Sequence, residues 1–483
     1  MFYTYHEAQH GAGSHVPVIL WLEGGPGCAS MYGSLYINGP QRVTAELSLR
    51  PNEGSWNLRY GVLYIDQPVG TGFSTAGSAH IPTDEMEVAA HLYIAIQAFF
   101  ERHSDLQRRP FFITGESYAG KYVPSIGHFI LQAERLGGEG NADSSAGRGR
   151  LAHTRALPSR YALRLRPPAF RLAGLAIGNG LTDPGSQVLR HADVLHYMGL
   201  IDKRQRINAL QQQLEVAELI TLGLWDQAHQ AREALLGYLT RASGVGTLLD
   251  TRRARDYDPD ATVDRYLNQP AVKETLGVPA NATFEACSSR VGAVLGPDVM
   301  KSTKYLIPDI LASMPLLLYQ GATDAQDGPA LNEPWIESLD WPGARGFEDA
   351  ERELWRLDLP PGADAADPDP SPSPPQACAG GCGAAGGPVS AAGQGVGAAR
   401  GRVLDPIDDL ARASHPGTAR RGGEVVGYWR EHATLTHVVI RNAGHMVPHD
   451  RPLVAQEMLR RWVKDALRHE GAAREGAAAA AEV

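Results

Sequence analysis

The sequence predicts an α/β fold with a mainly parallel central sheet, and three observations lead to it. Short apolar runs bounded by glycine recur along the chain, as expected of strands buried on both faces of a parallel sheet. Helical patterns lie between these runs, and such alternation is typical of α/β proteins. With 483 residues, 43% of them apolar, the chain can bury a large core. The six runs occupy residues 16–22, 60–66, 109–115, 171–179, 315–321 and 436–444.

The start of the chain, MFYTYHEAQH, also resembles a strand already under way. It has neither the basic segment nor the apolar segment of a signal peptide. Two interpretations follow: a cytosolic protein, or a chain that lacks its true N-terminus.

The clearest helical pattern begins at Thr83 with TDEMEVAAHLYIAIQAFFERH. Asp84 and Glu85 fall in the first turn, where acidic side chains interact favourably with the helix dipole. The apolar stripe of this predicted helix consists of Val88, Leu92, Ile96 and Phe99.

Residues 181–314, between the fourth and fifth runs, are strongly helical and predict a cap inserted into the sheet domain. The longest helical pattern there covers residues 203–236, with its predicted apolar stripe at Leu210, Leu214, Ala217 and Leu224. The core domain is then formed by residues 1–180 and 315–470.

Three segments are predicted to be disordered. Residues 136–158 and 359–423 are rich in Gly, Ala, Pro and Ser, and they cannot bury enough apolar surface to offset chain entropy. The Ala-rich tail, residues 471–483, is expected to be disordered as well.

The charge pattern limits the possible partners. The net charge is -9, and no sustained Lys/Arg face with interleaved aromatic residues occurs, which argues against nucleic-acid binding. No run approaches the ~18 apolar residues that a membrane span requires. No His/Cys/Asp spacing is typical of a metal site, and we expect no cofactor.

A candidate nucleophile, Ser117, lies in the stretch FFITGESYAGKYVP. It follows a predicted strand and precedes a helical pattern, as in the strand, turn and helix of a nucleophile elbow. The usual G-x-S-x-G pattern is incomplete, because Ala119 takes the last glycine position, but alanine is small enough for the turn. The alternative is an ordinary helix N-cap, a frequent role of serine.

A nucleophilic serine needs a base and a residue that orients the base, and α/β-hydrolases supply them later in the chain, in the order Ser, Asp, His. The run 315–321 is followed by Asp324 and Asp327, and the run 436–444 is followed by His445. Each alone has a plain alternative as a turn former or a surface residue. Their order and their positions after strands favour a catalytic set.

The loop EGGPGCAS, residues 23–30, follows the strand run 16–22. Consecutive glycines expose backbone N–H groups that can bind an oxyanion. A tight turn without a ligand is the equally simple alternative.

Five motifs in this order resemble the serine carboxypeptidases, and among them the vitellogenic-like branch with its plant relatives. They are WLEGGPGCAS, GESYAGKYVP, IGNGLTDP, LLLYQGATD with a following WIESLDW, and NAGHMVPHDRP. The resemblance covers nearly the whole chain except the two low-complexity segments and the tail. It implies an α/β-hydrolase fold with a helical cap, and a missing N-terminal segment with its signal peptide.

The resemblance also implies roles for individual residues. Ser117 would be the nucleophile, Asp324 rather than Asp327 would orient the base, and His445 would be the general base. The backbone N–H groups of Gly25 and Tyr118 would form the oxyanion hole.

The resemblance implies a binding site for the carboxylate of the substrate's C-terminal residue. In the family, the glutamic acid before the nucleophile, here Glu116, is protonated and shares its proton with that carboxylate. Glu23 and Gly24 would complete the site, although the family usually has Asn or Gln at the position of Glu23. A carboxyl group donates a hydrogen bond only when protonated, so Glu23 would weaken binding as pH rises.

The resemblance further implies a disulfide between Cys28 and Cys287 and an oxidising compartment: the secretory pathway, a vacuole or lysosome, or the extracellular space. Two free buried thiols are the alternative. Cys378 and Cys382 fall in the second low-complexity segment. Asn281 begins an Asn-Ala-Thr sequon, a candidate glycosylation site.

Three functions are compatible with these residues. The first is a serine-type carboxypeptidase acting on the C-termini of peptides and proteins at acidic pH. The second is an acyltransferase with the same triad, as in plant relatives. The third is a catalytically weak binding or protective protein, which Glu23 favours and the intact set of serine, aspartate and histidine disfavours.

Overall fold

A computed structural model describes residues 1–138, 167–360 and 423–481, except residues 12, 76, 78–79 and 259–260. Most of the two predicted low-complexity inserts lies outside these residues, as do Cys378 and Cys382. Of the first predicted insert, residues 136–138 are described, and they continue a helix.

The described strands form a nine-stranded sheet and a two-stranded hairpin. In chain order they are β1 (Tyr3–His6), β2 (Val18–Leu22), β3 (Gln41–Val43), β4 (Leu49–Pro51), β5 (Gly61–Ile65), β6 (Pro110–Glu116), β7 (Arg171–Gly178), β8 (Leu316–Gly321), β9 (Glu353–Leu357), β10 (Glu424–His432) and β11 (Leu435–Ile440). The order in the large sheet is β1-β5-β2-β6-β7-β8-β11-β10-β9, and β3 pairs with β4.

The six central strands, β5, β2, β6, β7, β8 and β11, are parallel and correspond to the six apolar runs. The predicted parallel sheet is therefore confirmed. The antiparallel strands β1, β9 and β10 lie at the edges. Strands β9 and β10 were missed because their partly exposed, charge-containing sequences lack a continuous apolar run.

The described α-helices, in chain order, are α1 (Ser30–Tyr32), α2 (Glu85–Arg102), α3 (Ala119–Gly138), α4 (Pro184–Val188), α5 (His191–Tyr197), α6 (Lys203–Thr221), α7 (Trp225–Ser243), α8 (Thr262–Leu267), α9 (Pro270–Thr275), α10 (Ser289–Val299), α11 (Ile307–Leu311), α12 (Pro329–Glu337), α13 (Ala344–Asp349), α14 (Val447–Asp450) and α15 (Pro452–Ala481). Single turns occur at Gly33–Ile37, Trp56–Leu58, Ser104–Leu106 and Lys304–Leu306.

Helices cover both faces of the sheet, because successive strand residues point to opposite sides. On β2, Leu20 belongs to the core beneath α2 and α3, whereas Ile19 belongs to the core beneath α15. The predicted apolar stripe of α2 is buried throughout. Asp84 caps α2, since its side chain accepts a hydrogen bond from the Glu87 amide.

The long helical pattern of the cap forms two helices rather than one. Helices α6 and α7 pack against each other, and the turn between them contains Gly223 in the left-handed region, with φ of 70°. The predicted stripe is wrong in part, because Leu214 is 63% exposed and Leu224 is 39% exposed. The buried face of α6 consists instead of Ala209, Gln213 and Val216.

The C-terminal helix α15 continues to Ala481, through most of the tail that was predicted to be disordered. Alanine has the highest intrinsic helix propensity, which explains why an Ala-rich extension continues a helix. Within the described parts of the chain, no helix combines the length and the apolar character needed to cross a membrane.

Candidate active site

The turn around Ser117 joins β6 to α3 at the carboxyl edge of the sheet. Ser117 has a positive φ of 63°, a strained conformation for a residue other than glycine. Its N–H donates to the Gly178 carbonyl at 3.0 Å, and its carbonyl accepts from the Leu181 N–H at 3.0 Å. A Cβ at Gly120 would lie 2.7 Å from the Leu181 nitrogen, so this position of the turn requires glycine. The conformation is that of a nucleophile elbow.

The side chains of Asp324 and His445 form a buried pair. Asp324 follows β8, His445 follows β11, and these parallel neighbours end at the same edge of the sheet. The Nδ1 of His445 lies 2.7 Å from Oδ2 of Asp324. Burial alone would lower the pKa of His445, but the negative charges of Asp324, Asp327 and Glu23 raise it above its usual value.

The carboxylate of Asp324 accepts four hydrogen bonds. Besides His445, the donors are the backbone N–H groups of Gln326 and Asp327, at 2.8 and 3.0 Å, and the side-chain amide of Asn179, at 2.7 Å. Asn179 belongs to the motif IGNGLTDP, from which no role for this residue was predicted. The sequence did carry a signal for it, since an Asn directly after a strand can place its side chain at the same edge of the sheet as Asp324.

Asp327, the alternative acid, is also buried, but its carboxylate faces other partners. It accepts hydrogen bonds from the side-chain amides of Gln326 and Gln187, at 3.2 and 3.5 Å, and the guanidinium of Arg232 lies 4.0 Å away. Burial raises its pKa. The contact with His445 therefore belongs to Asp324.

The glycine loop after β2 contacts the turn around Ser117 directly. A Cβ at Gly24 would lie 2.7 Å from the Ser117 Cβ and 2.6 Å from the Tyr118 nitrogen, so only glycine allows this approach. Gly25 has a φ of 110°, which L-residues rarely adopt. The loop thus brings the predicted oxyanion-hole residues, Gly25 and Tyr118, to the same place as Ser117.

A disulfide between Cys28 and Cys287 links this loop to the segment before α10, and the predicted pairing is confirmed. The two Cα atoms are 3.9 Å apart. Backbone hydrogen bonds flank the disulfide on both sides, from Ala29 to Ala286 and from Ser288 to Gly27. The loop is therefore attached to the cap.

Two buried carboxyl groups, Glu23 and Glu116, lie side by side next to Ser117. Leu22 of β2 pairs with Gly115 of β6, so the next residues on the two strands are neighbours. Burial raises the pKa of Glu23 to about 7, although its carboxylate accepts a hydrogen bond from Trp21. Burial, together with the charges of Glu23, Asp450 and Asp324, raises the pKa of Glu116 well above its usual value.

The two carboxyl groups differ in their partners. Glu23 accepts hydrogen bonds from the Trp21 indole at 3.1 Å and from the Gly24 N–H at 3.4 Å. Neither carboxyl oxygen of Glu116 has a hydrogen-bond partner among the described residues. Buried polar atoms without partners are rare, so the Glu116 carboxyl is a candidate for contact with a ligand.

A further acid, Asp450, was missed at the sequence level although it belongs to the motif NAGHMVPHDRP. It accepts hydrogen bonds from the Gly444 N–H and the Tyr257 hydroxyl, at 2.6 and 2.9 Å, and pairs with Arg252 at 3.3 Å. Burial raises its pKa to about 6. Tyr257 and Arg252 come from the cap, which therefore helps to fix the backbone before His445.

The sequon residue Asn281 is exposed, as a glycosylation site requires. Among the described residues, no group of three or more His, Cys, Asp or Glu side chains is arranged to hold a metal ion.

Comparison with known proteins identifies the family. A family model described as serine carboxypeptidase matches residues 1–362 and 405–465, most of the chain. The chain belongs to the serine carboxypeptidase family. It is accordingly a serine-type carboxypeptidase, a hydrolase that acts at peptide C-termini.

Similar sequences come from plants and animals. This serine carboxypeptidase is 35% identical over 467 residues to serine carboxypeptidase-like 50 of Arabidopsis thaliana, covering 96% of this chain and 84% of that one. It is 31% identical over 474 residues to the venom serine carboxypeptidase of Apis mellifera, with coverages of 96% and 80%. It is 27% identical to the human probable serine carboxypeptidase CPVL, with coverages of 92% and 76%. The predicted resemblance to plant and vitellogenic-like members is confirmed.

A solved structure supports the fold. The crystal structure of Kex1Δp, a prohormone-processing carboxypeptidase from Saccharomyces cerevisiae, matches with a TM-score of 0.69 and 23% identity, covering 96% of this chain and 86% of that one. The α/β-hydrolase fold predicted for this serine carboxypeptidase is confirmed.

Proposed function

We propose that this enzyme releases the C-terminal residue of peptides through an acyl-enzyme formed on Ser117. The observation that carries the proposal is the 2.7 Å contact between Asp324 and His445, at the sheet edge where Ser117 occupies a strained strand-to-helix turn. These are the parts that a serine hydrolase needs, in the chain order of α/β-hydrolases.

In the proposed reaction, Ser117 Oγ attacks the carbonyl carbon of the last peptide bond, and His445 accepts the hydroxyl proton. Asp324 fixes the tautomer of His445 and stabilises the imidazolium. The N–H groups of Gly25 and Tyr118 bind the oxyanion. His445 then protonates the leaving amine, and water hydrolyses the acyl-enzyme in a second addition and elimination.

Glu116 and Glu23 are proposed to bind the carboxylate of the leaving residue. Three carboxyl groups in a buried site cannot all be ionised, so binding requires protons on the enzyme. The raised pKa of both glutamic acids supplies these protons below about pH 7, the value for Glu23. Binding is therefore expected to weaken as pH rises through 7.

The pH range is limited on the other side by His445, which must be neutral to act as a base. Because its pKa is raised, activity falls as the pH drops through that pKa. Together, the raised pKa of His445 and the pKa of about 7 of Glu23 predict a narrow pH optimum close to neutrality. The disulfide supports an oxidising location, which we propose to be the secretory pathway, a vacuole or lysosome, or the extracellular space.

The test is the release of the last residue from N-blocked dipeptides between pH 4 and 7. We expect release by the wild type, and loss of release after treatment with a fluorophosphonate that labels serine nucleophiles. Absence of release across this range, with labelling of Ser117 intact, would contradict peptidase activity and favour acyl transfer, which the same samples report when a small alcohol is added.

A further inference from the structure

Four neighbouring strands contribute residues to one face of the sheet at its carboxyl edge. The pairing of β6 with β7 places Glu116 opposite Gly178, and the pairing of β7 with β8 places Gly178 opposite Tyr319. Glu23 lies on the other side of Glu116, directly after β2. The row therefore runs from Glu23 through Glu116 and Gly178 to Tyr319.

The side chains of this row share the face that packs against α15. Tyr319 belongs to the core on that side, together with Phe112 and Trp21. Glu116 lies four residues after Phe112 on β6, and Glu23 lies two residues after Trp21, so both point to the same side. Alternation along the strands thus aims Tyr319 and the two glutamic acids into one space.

Gly178 lies between Tyr319 and Glu116 and has no side chain to separate them. A Cβ at Gly178 would lie 2.4 Å from Cζ and 2.5 Å from the hydroxyl oxygen of Tyr319. The phenol of Tyr319 therefore occupies the space that a side chain at position 178 would fill. Its hydroxyl lies over β7, the strand that neighbours β6 with Glu116. Any residue larger than glycine would displace it.

The Tyr319 hydroxyl is buried, and no hydrogen-bond partner for it occurs among the described residues. The two oxygens of Glu116 share this property. A buried polar group without a partner is destabilising, so the Tyr319 hydroxyl and the Glu116 carboxyl, on strands separated only by β7, require an explanation. A bound group that accepts hydrogen bonds from both would provide it.

We propose that the Tyr319 hydroxyl donates a hydrogen bond to the terminal carboxylate of the substrate, alongside Glu116. The proposal rests on the proposed function, since it extends the carboxylate site of the same reaction. Ser117, the next residue after Glu116, is partly exposed, so the boundary between solvent and the sheet interior falls within one residue of Glu116.

Tyr319 would contribute differently from the two glutamic acids. Burial, followed by the charges of Glu116 and Glu23, raises the pKa of the phenol well above its usual value. The hydroxyl therefore remains a donor throughout the range in which the glutamic acids titrate. Its hydrogen bond should be independent of pH, whereas theirs should be lost as pH rises.

The test variant is Tyr319→Phe, which removes only the hydroxyl oxygen. In a Ser117→Ala background, calorimetry would measure the binding of an N-blocked dipeptide and of its C-terminal amide at pH 5 and pH 7. We expect the dipeptide acid to bind the Tyr319→Phe variant about 10- to 100-fold more weakly than the parent, the Ser117→Ala protein. This is the range for a hydrogen bond to a charged group, and the factor should be similar at both pH values. Binding of the amide should change less than threefold.

The matched control is Tyr64→Phe. Tyr64 is a buried tyrosine on the same face of the sheet, but its hydroxyl donates to Asn38 at 3.0 Å. Its loss should lower the melting temperature and leave the ratio of acid to amide affinity unchanged. Tyr319→Phe should have the opposite pattern, with a melting temperature equal to or above that of the parent, because a hydroxyl without a partner is removed.

The proposal is overturned if Tyr319→Phe leaves the acid-to-amide ratio unchanged, or if it lowers acid and amide binding equally. It is also overturned if the melting temperature falls as in Tyr64→Phe, since the hydroxyl would then have a structural partner. Failure of the proposed function gives a different result, in which the parent itself does not distinguish acid from amide.

Discussion

Two buried carboxyl groups near Ser117, those of Asp324 and Glu116, have opposite surroundings. Asp324 accepts four hydrogen bonds, including those from Asn179 and His445. Glu116 accepts none from the described residues and is surrounded by other acids, which raise its pKa further than burial alone. The donors around each group, rather than its residue type, determine what it can do.

The comparison explains why a negative residue can precede a nucleophilic serine. An ionised Glu116 would oppose the formation of negative charge at Ser117, but a carboxyl group buried without donors retains its proton. In the proposed mechanism, Asp324 is an acceptor that orients His445, whereas Glu116 is a donor for an anionic ligand. In this proposal, the same functional group serves catalysis in one case and substrate binding in the other.

The largest expected effect separates chemistry from binding. Ser117→Ala should lower the rate of release by several orders of magnitude, because members of a catalytic triad act as one unit. Affinity for the dipeptide acid should remain, since the carboxyl groups that are proposed to bind it are untouched. The measurements are kcat on a blocked dipeptide and calorimetric affinity. Turnover close to that of the wild type would refute the role of Ser117.

The second-largest expected effect tests the role of Asp324 as a hydrogen-bond acceptor. Asp324→Asn should lower kcat by roughly 10³- to 10⁴-fold, because an amide cannot accept from all four donors and fixes the wrong tautomer of His445. Asp327→Asn is the matched control, a second buried acid on the same loop whose side chain pairs with Gln187 and Arg232 instead. It should cost far less, and equal losses in the two variants would contradict the assignment of Asp324.

The disulfide sets how firmly the loop that carries Glu23 is held. Replacing both Cys28 and Cys287 by Ser should lower the free energy of unfolding by about 2–5 kcal/mol, and reductant should lower the melting temperature of the wild type. Thermal unfolding measures both. Cys378→Ser, in the predicted low-complexity insert, is the control and should change little. Equal melting temperatures with and without reductant would contradict a stabilising disulfide.

The smallest expected effect concerns the pH dependence of Glu23 as a hydrogen-bond donor. The Michaelis constant of the wild type for a blocked dipeptide should rise as pH increases through about 7, where Glu23 loses its proton. In Glu23→Gln the amide donates at every pH, so the constant should rise less above pH 7. The maximal rate should differ less than the Michaelis constant, since position 23 is remote from the bond that breaks.

The control for this prediction is the corresponding dipeptide amide, which lacks the terminal carboxylate. Its Michaelis constant should depend on pH similarly in the wild type and in Glu23→Gln. If the substitution leaves the pH dependence for the acid unchanged, Glu23 does not contact the carboxylate.

Much of the fold could be predicted because its signals are local. The six parallel strands appear as continuous apolar runs, since a strand buried on both faces has no polar position. The prediction of an apolar stripe on the cap helices was only partly right, because Leu214 and Leu224 occur at helical spacing yet remain exposed. The buried face of α6 consists of Ala209, Gln213 and Val216, and because it includes a polar residue it gives no clear apolar pattern in the sequence.

At the site, the sequence alone supplied Ser117, the two candidate acids and His445, because each follows a strand and parallel strands end at one edge of the sheet. It also located the glycine loop, since Gly24 must approach Ser117 more closely than a Cβ allows. It could not choose between Asp324 and Asp327 without the family resemblance, because the two acids lie only three positions apart in one loop. Only the contact with His445 distinguishes the two.

The tertiary structure alone decided which buried groups have partners. Tyr319 and Gly178 are far apart in the chain, and only strand register places the phenol across the glycine and next to Glu116. Hydrogen-bond satisfaction and burial depend on residues distant in sequence, and these set the protonation of Glu116 and Glu23. The sequence therefore determined the chemical groups available to this protein, and the packing of the sheet determined the charge that each one carries.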